Sequence, residues 1–303
     1  TVPVEIEPYD IVAGYLTSPQ VSVESWRVEM DASVIPQLER QVNSAHSRAG
    51  MLHRPMAVDW LANAGFELAP DKLPGWRTAN KEGVSITPDA SQKFAGEQSL
   101  KMSSRGQTAW VRSDSIPVPN SGRISIMVRV KTLDPKQQPP LRLAIEGRLN
   151  GQVYYRFANV GSQGKPISDD WGKQPFLVHI DDLPVNGLTD LQIGFDLMGA
   201  GQVWIDQVQV YDMWFLPKER DELMIKFGLA KRALSKGEVT NCLRVLSGYW
   251  SKFLNHNVAP NHLRTAALPS APVPNSEAPA AEDKKSSSVF DKMKSLPKKV
   301  FPF

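Results

Sequence analysis

Apolar positions along this chain change their period several times, and the changes divide it into regions. Over residues 1–26 the step is two: Val2, Val4 and Ile6 alternate with Pro3, Glu5 and Glu7, and Val21 and Val23 resume after Thr17-Ser18-Pro19. That period predicts extended chain. From Ser33 to Ala49, Val34, Ile35, Leu38, Val42, Ala45 and Ala49 fall three and four apart, the stripe of an amphipathic helix.

Between Trp60 and Tyr211 the period returns to two, in short runs cut by turn residues. Strands are predicted at residues 99–102, 109–111, 123–130, 141–145, 153–157, 176–180, 191–197 and 203–210. Pro119-Asn120-Ser121-Gly122, Asp134-Pro135 and Asn186-Gly187 mark the turns. This texture predicts an antiparallel β-sandwich. Residues 218–254 then read as a helical hairpin. Leu223, Met224, Phe227, Ala230 and Leu234 stripe its first arm, Gly237 stops that arm, and Val239, Leu243, Leu246, Trp250 and Phe253 stripe the second. Such stripes require burial, against either the sandwich or the helix at 33–49. Residues 257–288, rich in Pro, Ala and Ser without periodicity, predict a disordered linker. A short end follows with Phe290, Met293, Leu296, Phe301 and Phe303 among lysines.

The expected architecture is therefore mainly β: a sandwich with flanking α-helices and a disordered C-terminal tail. Its parts are an extended segment plus helix (1–54), possessing the look of an upstream domain's end, the sandwich (55–215), the hairpin (216–256) and the tail (257–303).

Composition adjusts this picture only at the margins. The 24 prolines lower the helix content expected. A net charge of +3 is too small to point to nucleic acid as a partner. The single cysteine, Cys242, excludes an internal disulfide and a cysteine-based zinc site, and its apolar mid-helix setting predicts an inert, buried thiol. No apolar run reaches the roughly 20 residues of a transmembrane segment. The chain starts at Thr1 with no charged-then-apolar leader, which reads as a processed form or a piece of something longer.

Catalytic signatures are weak. There is no glycine-rich phosphate loop and no G-x-S-x-G elbow. The five histidines lack metal-ligand spacing, and His179 on its strand reads as packed or superficial. Asp169-Asp170 and Asp181-Asp182 adjoin turns and read as solvated. The chain is expected to be non-catalytic.

One set of spaced pieces carries more. Asn63-Ala64-Gly65-Phe66-Glu67 opens the β region, and Pro74-Gly75-Trp76 follows. Next comes Ala95-Gly96-Glu97-Gln98-Ser99-Leu100-Lys101-Met102. Leu191-Gln192-Ile193-Gly194-Phe195-Asp196-Leu197 and Gly201-Gln202-Val203-Trp204-Ile205-Asp206-Gln207-Val208-Gln209-Val210 close it. In order and spacing this series resembles the CenC-like carbohydrate-binding modules, which have a galactose-binding-like jelly-roll fold. The resemblance covers about half the chain. It implies a jelly roll, a polysaccharide or glycan partner and a structural calcium ion held by Glu67 and Asp206. Calcium takes six to eight oxygens, and carboxylates from the first and last strands would clip the ends of the sheets.

Sugar binding needs aromatic faces flanked by polar groups. Trp110, Tyr154, Tyr155, Arg148, Glu146 and Asp196 are the candidates, with Trp76 and Trp204 expected to pack rather than bind. Tyr154 and Tyr155 are neighbours on a strand, so they point to opposite faces and one of them belongs to the core. Three roles stay open: a glycan-binding module outside the cytoplasm; a scaffold whose helices or C-terminal tail contact protein partners; and an accessory part of a larger glycoside hydrolase.

Overall fold

A computed structural model describes residues 31, 33–161, 165–172 and 175–259. The extended segment at 1–26 and the tail from residue 260 onward lie outside the described residues. Residues 257–259, placed in the tail by composition, belong to the folded body: Asn257 ends a helix and Val258 is buried in a helical core.

Ten strands form two antiparallel sheets of five. The first has the order β1 (Trp76–Thr78), β4 (Ala109–Ser113), β9 (Leu188–Leu197), β6 (Leu141–Leu149) and β7 (Gln152–Val160). The second has the order β2 (Val84–Asp89), β3 (Ser99–Ser104), β10 (Gly201–Tyr211), β5 (Ile124–Thr132) and β8 (Phe176–Ile180). All eight predicted strands are present. The period of two is the reason the sheets pack face to face. Ile124, Ile126, Val128 and Val130 of β5 point inward, as do Leu141, Leu143 and Ile145 of β6 and Ile193, Phe195 and Leu197 of β9. Each of the larger of these buried side chains contributes about 1.5–3 kcal/mol by leaving water.

The motif pieces meet at one end of this core. Asn63 is the knot: its side chain donates to Pro74 O (3.2 Å) and accepts from Leu68 N (3.0 Å), while its carbonyl accepts from Trp76 Nε1 (3.1 Å). Phe66 and Trp76 lie 5.2 Å apart, ring to ring, and both are buried. Trp204 is buried as well, so the two tryptophans of the motif pieces pack, as expected.

On the outward face of the second sheet, the Trp204 ring lies between Lys101 of β3 (5.8 Å) and Lys131 of β5 (5.6 Å). Its Nε1 donates to Asp89 Oδ2 (2.9 Å). Burial raises the Asp89 carboxyl, but hydrogen bonds from Ser91 and Trp204 and the Lys101 charge outweigh it and bring it from the ordinary 3.8 down to about 2. A carboxyl lowered on folding stabilises the folded state above its ordinary value and loses that contribution as pH falls toward the folded value. Asp89→Asn is thus expected to cost about 1–2 kcal/mol at neutral pH. In urea titrations the gap from wild type should persist to about pH 4 and close between there and about pH 2. A gap that is the same at both ends would show that charge is not its source.

Helices from both sides of the β region pack together. In α1 (Val34–Met51) the buried residues are Leu38, Val42, Ala45 and Ala49, which face Leu223, Phe227, Ala230 and Leu234 of α2 (Pro217–Ser235). At the end of α2, Gly237 N bonds to Leu234 O and Glu238 N to Ala233 O, with Gly237 at φ +76°, the left-handed stop that glycine favours. The second arm of the expected hairpin is two helices, α3 (Val239–Leu246) and α4 (Tyr249–Asn257). Gly248, extended at ψ 167°, separates them. Consequently Cys242, fully buried, faces the bundle from α3, while Leu243 is exposed. The bundle joins the sandwich through Val58 N to Val210 O (2.8 Å) and through Arg123, which stacks 4.1 Å over Phe215 and pairs with Glu219 of α2 (2.7 Å). No helix among the described residues is long and apolar enough to cross a membrane.

Candidate functional site

The outward face of the first sheet gathers most of the predicted ligand residues. Strand pairing sets Trp110 of β4 beside Asp196 of β9, then Arg142 of β6, then Asn159 of β7. One step along the strands, the row is Arg112, Gly194, Ala144 and Phe157. In the next, Gln192, Glu146 and Tyr155 are neighbours. Trp110, Tyr155, Glu146 and Asp196 therefore share one face. Arg148 lies on it too, past a bulge in β9 where Asp190 takes φ +53°, and pairs loosely with Asp190 (3.9 Å). Tyr154 does not: it packs against the sandwich core from the opposite face of β7. Of the two adjacent tyrosines, the structure puts Tyr155 on the site.

Arg112, absent from the predicted set, organises this face. Its Nε donates to Glu146 Oε2 (2.7 Å) and its Nη1 to Asp196 Oδ1 (2.7 Å). Tyr155 Oη donates to the other Asp196 oxygen, Oδ2 (2.7 Å). Asp196 is only 4% exposed, a carboxylate held away from water because both oxygens are matched. Burial works against the Arg112 charge, but its bonds to Asp196 and Glu146 more than offset this and hold its proton more firmly than usual. Burial, then the bond to Asp196, push the Tyr155 hydroxyl up. Arg112 crosses β9 at Gly194: a Cβ there would overlap the Val111 carbonyl oxygen and stand 2.5 Å from Arg112 Cδ. Phe157, also unpredicted, completes the layer. It lies 5.9 Å from Tyr155, with the Arg142 guanidinium 4.1 Å above its ring. The period of two already pairs Trp110 with Arg112 and Tyr155 with Phe157, so the signal for both was present.

The two residues predicted to hold calcium meet at one loop. Asp206 Oδ2 accepts from Phe94 N (2.8 Å) and Ala95 N (3.1 Å), and Oδ1 from Gln207 N (2.6 Å). Glu67 Oε2 accepts from Glu97 N (2.9 Å). Gly96 lies against Glu67: a Cβ there would come within 2.5 Å of the Glu67 carboxyl carbon. Burial raises the Asp206 carboxyl, three backbone N–H groups pull it back, and the Glu67 charge raises it further.

A third cluster was not legible in the sequence, because α2 supplies part of it. His179, Asp181 and Glu219 bring ligand atoms within 4.8 Å of one another. Arg123 Nη2 stands 3.1 Å from His179 Nε2 and 2.7 Å from Glu219 Oε1, so a guanidinium already fills the place of a cation. Ser125 Oγ lies 2.7 Å from His179 Nδ1. Burial and Arg123 hold His179 below the ordinary histidine value, and the imidazole is a packed residue of the sandwich–helix junction.

No protein-family model and no curated protein matches the sequence. Among solved structures the chain is similar to the CBM22-1 xylan-binding domain of Xyn10C from Paenibacillus barcinonensis, at 18% identity and a TM-score of 0.39, over 54% of this chain and 100% of that one. A family 16 carbohydrate-binding module is similar at 13% identity and 0.35, over 51% and 97%. The enzymatically active domain of tailspike protein 4 from bacteriophage CBA120 is similar at 14% identity and 0.38, over 50% of this chain and 21% of its own length. Identities and TM-scores at this level leave the reading of the site to its own geometry.

Proposed function

We propose that the outward face of the first sheet is a glycan-binding platform and that the chain is a non-catalytic module working outside the cytoplasm. One observation supports this above the others: three aromatic rings, Trp110, Tyr155 and Phe157, share an outward face with a fixed guanidinium–carboxylate network. Aromatic faces take the C–H side of a sugar ring, and the buried network fixes the floor of the sheet between those rings. Three interstrand spacings separate β4 from β7, about 14 Å, a span suited to a short run of sugar units crossing the strands. Trp110→Ala and Tyr155→Ala are each expected to weaken polysaccharide binding about tenfold or more, roughly 1.4 kcal/mol, in affinity electrophoresis. Tyr154→Phe, on the opposite face, should leave it unchanged. Retention by the double variant equal to wild type would move the site elsewhere. Hydrolysis assays with this chain are expected to be blank.

Calcium belongs to the same proposal. Glu67 and Asp206 suit a divalent cation in charge and donor type, and a cation between them would offset the burial and, to a lesser degree, the Glu67 charge that raise Asp206. Chelator should then lower the melting temperature and calcium restore it, whereas Asp206→Asn should melt alike in both. A wild-type protein indifferent to both additions removes the ion.

A further inference from the structure

We infer that the polysaccharide taken by this face is anionic and that Arg142 reads its charge, an inference that rests on the glycan platform proposed above. Apart from Arg142, the charged groups of β4, β9 and β6 at the centre of the face are committed, while Arg77, beside Arg112 on the edge strand β1, is exposed. Arg112 is shared between Glu146 and Asp196, and Asp196 spends its second oxygen on Tyr155. Farther along β6, Arg148 pairs only loosely with Asp190, at 3.9 Å, and has no ring beneath it among the described residues. Arg142 forms no ion pair with any described residue, yet its position is fixed, with its guanidinium carbon 4.1 Å above the Phe157 ring.

That placement matters chemically. A guanidinium lying on an aromatic ring spends its flat face on the ring and keeps its N–H edge free. The edge is a fork that matches two oxygens of one carboxylate or sulfate, and such charge-assisted pairs are stronger than bonds to a neutral hydroxyl. Arg142 also lies in the row of Trp110, with only Asp196 between them. A sugar stacked on Trp110 therefore extends its next units over Arg142 and Phe157. The competing role for Arg142 is to balance, from a distance, the one negative charge left by Arg112 with two carboxylates. In that role it affects stability and leaves ligand preference alone.

The test uses the full chain in affinity gels containing polygalacturonate (carboxylate), carrageenan (sulfate) or neutral xylan, at low and high salt. Wild type is expected to be retarded by an anionic polymer, with retardation falling as salt rises. Arg142→Gln should lose at least tenfold of that apparent affinity with its melting temperature unchanged, and Arg142→Lys should keep part of it. Whichever anionic polymer shows this Arg142-dependent retardation identifies the group read. Equal retardation of wild type and Arg142→Gln by the anionic polymers overturns the inference. Retardation by xylan alone also overturns it while leaving the glycan platform standing. No retardation by any of the three overturns the inference and removes the support for the platform together.

Discussion

Gly194→Val is expected to destabilise the sandwich by at least about 3 kcal/mol, although valine is the better strand former. Propensity alone favours valine by up to about 1 kcal/mol. Sterics reverse the sign. The new Cβ would overlap the Val111 carbonyl oxygen, which is backbone of the neighbouring strand and cannot swing away. It would also meet Arg112 at Cδ (2.5 Å) and Nη1 (2.7 Å). The flexible partner must yield, so the guanidinium leaves Asp196 and Glu146. Overpacking of this kind costs about 1–3 kcal/mol, and the lost pairing of a buried carboxylate adds to it. Urea denaturation should show a lower midpoint with an unchanged slope, and polysaccharide binding should fall with it. A variant as stable as wild type would mean that Arg112 does not cross the sheet at this point.

Gly194 also marks how far the sequence could be read. A glycine inside a strand pattern signals close approach by something else, and here that something is Arg112. Alternation sufficed for eight strands because their apolar residues face a single core. It fell short for β1, three residues long, and for β2, where Pro88 interrupts the pattern. Proline is tolerated in β2 because the strand lies at the edge of its sheet. Side-chain alternation required one of Tyr154 and Tyr155 to be buried, but only the strand pairing tells which. The bulge in β10 between Asp206 and Gln209, with Gln207 at φ +52°, left no local signal, and neither did the break of the second helical arm before Tyr249. Clusters assembled from distant segments were the least legible. His179 and Glu219 are 40 positions apart and meet only because α2 folds back onto the second sheet.

Arg112→Met is expected to cost about 3–5 kcal/mol. Methionine fills much of the same path across β9, so the cost is electrostatic rather than steric. Glu146, with 38% of its side chain exposed, can turn back to water when its partner goes. Asp196 cannot, because its side chain is only 6% exposed and Tyr155 still holds one oxygen. The charge is left buried with a single donor, which is the costly case for an ion pair broken from one side. Removing both partners is a different situation. The double variant Arg112→Met with Asp196→Leu buries no charge, and its stability should return to within about 1–2 kcal/mol of wild type. A double-mutant cycle by urea denaturation therefore separates a buried pair from two independent contacts. If the two single losses simply add, Arg112 and Asp196 do not depend on each other, and the network cannot be what fixes the floor of the glycan platform. If the double variant recovers stability while its polysaccharide binding stays lost, the network serves recognition more than folding. That outcome is the one the geometry favours, because apolar residues could seal this part of the sheet equally well.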